Sequence, residues 1–144
     1  MKSYQSFTLL ISSIYRSIYK IKDKEMSALG LKGTHLTCLF YLHEYGSGQT
    51  AADLCKLSGE DKAAISRSIE YLVGSGYIEP GEGNYRRPLK LTPKGEETAR
   101  YISSKVDDFV AHASKDLTDE ERLILYKALG KVESKLRLDL EEEG

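Results

Sequence analysis

Apolar residues recur at helical spacing along most of the chain, and the two longest stripes lie near its ends. One stripe runs from Tyr4 to about Met26, another follows Leu117, a third starts at Thr92, and a shorter one ends near Gly46. Residues three and four apart share one face of a helix, so each segment is predicted to be an amphipathic helix. The stripes contain Phe7, Leu10, Ile14, Ile18 and Ile21; Leu36, Leu39 and Phe40; Thr98, Ile102, Val106, Phe109 and Ala113; and Leu125, Leu129, Val132, Leu136 and Leu140.

Two shorter helices are predicted between these stripes. Thr50 and Asp53 have the spacing of a capping box, and Thr118 and Glu121 repeat it before the last stripe. The residues Ser58-Gly-Glu-Asp61 then separate the first short helix from a second over 62–72. Its buried stripe is predicted to be Ile65, Ile69 and Leu72, and its outward face carries Lys62, Ala63, Ser66, Arg67 and Glu70. Small and cationic side chains on such a face favour entry into the DNA major groove.

A short hairpin is predicted after this second helix. Residues 74–79 begin an extended run, 80–84 have the composition of a turn, and 85–91 return as a strand. Arg86, Arg87, Lys90 and Lys94 lie on the return side, where no acidic residue occurs between Asn84 and Lys94. A cationic hairpin beside a helix-turn-helix is typical of a wing that contacts phosphate or the minor groove. Thr92-Pro93 then starts a new helix, with a hydroxyl N-cap and proline at the first helical position.

The run TAADLCKLSGEDKAAISRSIEYLVGSGYIEP and the closing LTPKG resemble the MarR-type winged-helix transcriptional regulators. The resemblance extends over essentially the whole chain. It implies a mainly α fold with a small β wing, in which a winged helix-turn-helix at 31–95 lies between helical dimerisation segments at 1–30 and 96–144. These form a single domain, 1–144. It also implies a homodimer on a pseudo-palindromic site in double-stranded DNA, acting as a repressor.

The wing departs from the family pattern at one position. The family usually has an Asp-x-Arg pair, whereas this chain has Asn84-Tyr85-Arg86. Asparagine can still hydrogen-bond but holds the arginine without a charge. Whether Arg86 or Arg87 reaches DNA is therefore left open. The predicted DNA-contacting residues are Lys62, Ala63, Ser66, Arg67, Arg86, Arg87 and Lys90.

Charge and composition set the outer bounds on function. The 144 residues carry a formal net charge of −1, so any attraction to DNA must come from a local basic patch such as the wing. The sequence has neither a membrane-spanning apolar run nor a secretion signal, and a cytoplasmic protein is expected. Cys38 and Cys55 are then expected to be small buried thiols rather than a disulfide.

The long apolar stripes at the two ends also predict self-association. A winged helix of this size cannot cover both terminal helices, so a core shared between two subunits is the economical interpretation. Two-fold symmetry would place two recognition helices about one DNA turn apart. An all-helical monomer with its terminal helices packed on each other is the alternative.

An effector site is a further expectation from the family. In relatives, small aromatic or phenolic anions bind where the dimerisation helices meet the winged helix, and Tyr15, Tyr19, His35 and Leu39 are candidates here. Tyrosines with hydroxyls reaching water are the simpler explanation. The three histidines lack a tight metal-ligand spacing, and there is no catalytic motif, so no metal, cofactor or enzyme activity is predicted. The rival function is a winged-helix module that binds protein instead of DNA.

Overall fold

The computed structural model describes residues 3–46, 48–82 and 87–143. This part of the chain forms six helices and one two-stranded antiparallel sheet, which confirms the mainly α fold with a small β wing. It separates into two compact units, one up to Ser103 and one from Ser104 onward. The elements are α1 (Ser3–Ser27), α2 (Gly33–Tyr45), α3 (Ala51–Ser58), α4 (Lys62–Gly74), β1 (Ile78–Pro80), β2 (Leu89–Leu91), α5 (Pro93–Ala113) and α6 (Asp119–Glu143).

Helix α2 is the centre of the first unit. Its run from Leu36 to Leu42 is apolar on nearly every side, and a helix of that kind is buried. It packs against α1, α3, α4 and β2. The largest side chains exposed by less than 2 % are Met26, Cys38, Leu39, Leu42, Leu54, Ile65, Leu72 and Ile102. The core therefore lies directly behind the helix-turn-helix formed by α3 and α4.

The predicted helix ends are confirmed by their hydrogen bonds. The Thr50 N–H donates to Asp53 Oδ2 at 2.9 Å, and the Asp53 N–H donates back to Thr50 Oγ1 at 3.2 Å. Gly59 ends α3 in the left-handed conformation, with φ of 70°, which glycine adopts without strain. In the second unit, Thr118 and Glu121 form the same reciprocal pair before α6, at 3.0 and 3.1 Å.

The wing is shorter than the sequence predicts. Its register pairs Ile78 with Leu91, Glu79 with Lys90 and Pro80 with Leu89, so Pro80 belongs to β1 and not to the turn. The prediction that the return strand starts at Tyr85 was wrong for the described residues, because β2 begins at Leu89. Pro88 has no N–H to donate, so its contact with the other strand is limited to accepting the Gly81 N–H at 2.6 Å, while the Leu89 N–H points away from β1 and donates to the Gln49 carbonyl at 2.8 Å. Residues 83–86 lie outside the described residues.

Helix α6 carries exposed apolar side chains along its length. None of its 25 residues is buried. Leu123 is 73 % exposed and Leu140 is 70 % exposed. In the first unit, α1 has a similar face, on which Leu10 is 62 % and Ile14 is 53 % exposed.

Candidate nucleic-acid interface

Helix α4 presents one face to the core and the other to solvent. Ile65 and Leu72 are fully buried, as predicted, and Ser68 is buried with them. Ile69, predicted for the same stripe, is only half-buried. The outward face is exposed at each predicted position, namely Lys62, Ala63, Ser66, Arg67 and Glu70. The Asp61 carboxylate caps the helix by accepting from the Ala63 N–H at 3.4 Å. The structure thus brings together the four α4 residues that the sequence predicts for DNA contact.

A cavity of about 350 Å³ lies between the start of α2 and the side of α4. Two cations, Lys32 and Arg67, line it, together with an aromatic pair. In that pair His35 stacks on Tyr71 with ring centroids 4.6 Å apart. The remaining lining residues are Gly30, Thr34, Ala64 and Ser68. Sequence reasoning missed Lys32, because residues 31–33 carry no motif and only the packing of α2 on α4 brings it beside Arg67.

His35 is held in its neutral form in this cavity. It is 6 % exposed, and burial, together with the nearby Lys32 ammonium, lowers the pKa of its imidazole. Its Nδ1 accepts the Lys32 N–H at 2.9 Å, which requires an unprotonated nitrogen. The positive charge of the cavity therefore comes from Lys32 and Arg67 alone.

The wing contributes two exposed cations among the described residues. Lys90 points outward between Leu89 and Leu91, which are both buried. Arg87 is exposed just before β2, and Arg86 lies outside the described residues. Glu79 is the cross-strand partner of Lys90. This pairing puts a carboxylate opposite one of the predicted phosphate-binding residues and reduces the net charge at the base of the wing.

The closing segment Thr92–Gly95 fastens the wing to the end of α4. Thr92 Oγ1 donates to the Gly76 carbonyl at 2.6 Å, and Lys94 Nζ donates to the Ser75 carbonyl at 2.9 Å. Gly95 lies so close to Tyr77 that an added Cβ would meet its carbonyl oxygen. Thr92 also caps α5, since its hydroxyl accepts the Gly95 N–H at 3.0 Å. The segment recognised in the sequence as LTPKG therefore sets where the wing starts relative to α4.

The four residues predicted to bind an effector lie in different surroundings. Tyr15 and Tyr19 are exposed on α1, with ring centroids 6.3 Å apart. Leu39 is a fully buried core residue, and His35 lines the cavity beside α4. Neither tyrosine nor Leu39 lines that cavity. The predicted effector site is thus not assembled there, and it stays a prediction.

The described part of the chain offers less support for a reactive cysteine, a metal site or a membrane-spanning helix. Burial, and to a lesser degree the nearby Glu60 carboxylate, raise the pKa of the Cys38 thiol to about 12, which makes it unreactive. Cys55 is free and only half-buried, against the expectation that both thiols are buried. The described residues contain no cluster of three or more histidine, cysteine or carboxylate side chains that could hold a metal. None of the described helices is long and apolar enough to cross a membrane.

Helix α4, its capped turn and the wing define the class of protein as a winged helix-turn-helix. A model of the MarR family matches residues 29–87, which include α2–α4 and β1. No curated protein matches the chain. The comparison with solved structures is more informative because many of them match over nearly the full length.

Three of these structures illustrate how similar the chain is to solved proteins. A MarR family transcriptional regulator from Listeria monocytogenes, solved with 26-mer DNA, is 26 % identical, with 90 % of this chain and 87 % of that chain covered and a TM-score of 0.81. A MarR family regulator from Neisseria meningitidis is 21 % identical over 100 % of both chains, with a TM-score of 0.78. The transcriptional regulator SlyA is 22 % identical, covers 96 % of this chain and 99 % of that chain, and has a TM-score of 0.85. Residues 29–87 therefore match the MarR family, and the chain has the winged-helix fold of the solved MarR-type regulators.

Proposed function

We propose that this protein is a homodimeric transcriptional regulator that binds double-stranded DNA and represses by occupying a pseudo-palindromic operator. The observation that carries the proposal is the outward face of α4. Lys62, Ser66 and Arg67 are exposed there, while the opposite face is fixed in the core. Ala63 beside them has only a methyl group, which allows close approach to the groove. The Listeria relative, whose structure contains DNA, supports the same use of the fold.

Phosphate contacts are assigned to the cations around α4 and on the wing. Lys32 lies beside Arg67 at the start of α2, and Arg87 and Lys90 extend from the wing. Contacts of this kind fix the register of a protein on DNA and make its affinity depend on salt. Arg86 is included on sequence grounds, and replacing Arg86 and Arg87 one at a time would show which of the two arginines reaches DNA.

The proposed dimer rests on the apolar faces of α1 and α6, each taken by itself. Several large side chains on both helices are more than half exposed in the single chain, among them Leu10, Ile14, Leu123, Ile124 and Leu140. Exposed apolar stripes of that extent are characteristic of an interface. A second copy of the chain would cover them, and the two-fold axis would relate two α4 helices about one DNA turn apart.

The decisive experiment selects DNA fragments from a random pool with the purified protein and sequences them. We expect enrichment of a pseudo-palindrome whose half-sites are about 10 base pairs apart, centre to centre. Affinity for the selected site should fall steeply as salt rises. The control is a duplex that keeps one half-site and scrambles the other, because a dimer should bind it much more weakly.

The rival function predicts the opposite result. Glu70 on the outward face and Glu60 just before α4 are carboxylates that weaken a DNA-binding patch. A protein-binding module built on this fold would enrich no sequence and bind duplex DNA weakly even at low salt. That outcome would replace the DNA proposal with the interaction module.

Relief of binding by a small aromatic or phenolic ligand is a separate part of the proposal. It can be tested by adding benzoate and phenol analogues to the protein on its selected operator. Release of DNA at constant salt would support an effector, and Tyr15→Phe and Tyr19→Phe would then test the predicted tyrosines. If no analogue releases DNA, this part of the proposal fails while DNA binding stands.

A further inference from the structure

One polar cluster in the first unit joins three elements through a single buried hydroxyl. Thr37 of α2 is 3 % exposed. Its Oγ1 accepts a hydrogen bond from Lys22 Nζ of α1 at 3.0 Å. The same hydroxyl lies 3.3 Å from two acceptors, Glu60 Oε1 and the Gly33 carbonyl oxygen, so its one proton is shared between them. A neutral hydroxyl therefore stands between an ammonium and a carboxylate, an arrangement in which each hydrogen bond strengthens the other.

The residue next to Lys22 holds α1 to the same end of α2. Asp23 Oδ1 accepts the Gly33 N–H, the first of the helix, at 3.1 Å. An added Cβ on Gly33 would lie 2.7 Å from that oxygen, so a larger residue would make the Asp23 carboxylate shift. Two consecutive residues of α1 thus bind α2 one turn apart, and α1 cannot shift along α2 without breaking both contacts.

Glu60 carries the connection to the recognition helix. It lies in the turn between α3 and α4, immediately before Asp61, the N-cap of α4. Its carboxylate also lies near groups on α1 and α2. Burial raises the pKa of the Cys38 thiol, and the negative charge of Glu60 adds to that effect. Burial and the Asp23 carboxylate raise the pKa of the Tyr19 hydroxyl, and Glu60 again adds to the effect. The start of α4 is therefore tied through Glu60 to Thr37 of α2, and through that hydroxyl to Lys22 of α1.

We propose that Lys22, Thr37 and Glu60 form a polar relay that fixes the orientation of α4 relative to α1. The inference rests on the proposed binding of DNA by a dimer, because α1 is one of the helices proposed to meet the second copy. In that dimer the relay sets the separation of the two recognition helices and so the spacing of half-sites that is bound best. These three residues are positioning residues and need not touch DNA.

The first test measures the orientation of α4 relative to α1 in the absence of DNA. Spin labels are placed at the exposed positions Lys20 of α1 and Glu70 of α4, with Cys55 replaced by alanine and the labelled protein diluted with unlabelled chains. Thr37→Val keeps the shape of the side chain and removes the hydroxyl. We expect it to broaden or shift the distance distribution, whereas Thr37→Ser should restore the wild-type distribution. The matched control is Thr98→Val, a half-buried threonine on α5 outside the relay.

The second test uses a series of operators whose half-site spacing is changed by one and two base pairs. Wild type should prefer one spacing. Thr37→Val should lose roughly tenfold in affinity at that spacing, the loss expected for one charge-assisted hydrogen bond, and should discriminate less between spacings. Its affinity for unrelated DNA should not change. A role limited to stability would lower affinity for all duplexes in proportion to the folded fraction and leave the spacing preference intact.

The outcomes separate this inference from the proposed function. If Thr37→Val is folded and its distance distribution and spacing preference equal those of wild type, the relay is refuted although DNA binding stands. If wild type binds no specific DNA, the proposed function fails, and the spin-label distances alone decide whether the relay orients α4. Should Thr37→Val not fold, Lys22→Met provides the same comparisons, because it keeps the aliphatic stem of a half-buried side chain and removes the donor.

Discussion

Ile14 provides the sharpest test of the proposed dimer, because it lies on the apolar face of α1 and is 53 % exposed in the single chain. Complete burial of an isoleucine side chain stabilises by about 1.5–3 kcal/mol. The half that is still exposed can therefore contribute about 0.8–1.5 kcal/mol when a partner covers it. Both copies of Ile14 lie in a two-fold interface, so Ile14→Ala should weaken the dimer by about 1.5–3 kcal/mol. That loss raises the dimer dissociation constant about 12- to 150-fold.

The dissociation constant can be measured by light scattering or sedimentation over a dilution series, with circular dichroism to verify that the helices persist. Lys20→Ala, an exposed polar position on the same helix, is the control and should leave the constant unchanged. Ile14→Glu combined with Val132→Glu should dissociate or unfold the protein, because it would bury unpaired carboxylates. The reasoning is refuted if Ile14→Ala dimerises as wild type does, or if wild type is monomeric at micromolar concentration and still binds a palindromic site normally.

Three further expectations concern the interface itself. Arg67→Ala should lower specific affinity by about 1–3 kcal/mol in a titration with the selected operator, and an equal loss for Arg100→Ala on α5 would argue against a direct contact. Replacing both Arg86 and Arg87 by alanine should weaken binding to all sequences and flatten the plot of log affinity against log salt; an unchanged slope would exclude phosphate contacts by the wing. The lowered pKa of His35 means that the unfolded chain takes up a proton first, so stability should fall as pH drops below about 6.5. Chemical denaturation at several pH values should show that fall in wild type, and an equally steep fall in His35→Gln would assign it to another group.

The helix ends were predictable because their hydrogen bonds join residues only a few positions apart. Thr50 with Asp53, and Thr118 with Glu121, are capping pairs whose partners are three residues apart in the sequence. The outward face of α4 was predictable for a similar reason, since helical spacing alone places Arg67 opposite Leu72. Contacts of this kind form within one or two turns of a helix, so the local sequence is enough to predict them.

The contacts that orient the site are of another kind and could not be predicted. Lys22 and Thr37 are 15 residues apart, and Thr37 and Glu60 are 23 apart. No periodicity or spacing links such residues, because only the packing of three helices brings them together. The bond from the Leu89 N–H to the Gln49 carbonyl is of the same kind, because the two residues are far apart in the sequence.

The close packing of Gly95 against the Tyr77 backbone determines how this protein can change in evolution or in engineering. Because the base of the wing is bonded to the end of α4 through Thr92, Lys94 and Gly95, the two parts behave as one rigid frame. Insertions or deletions in the segment that joins the two strands would then change the reach of the wing without disturbing α4, the helix proposed to read bases. Reach and sequence preference are therefore separate variables in this protein, and each is open to selection while the other is held constant.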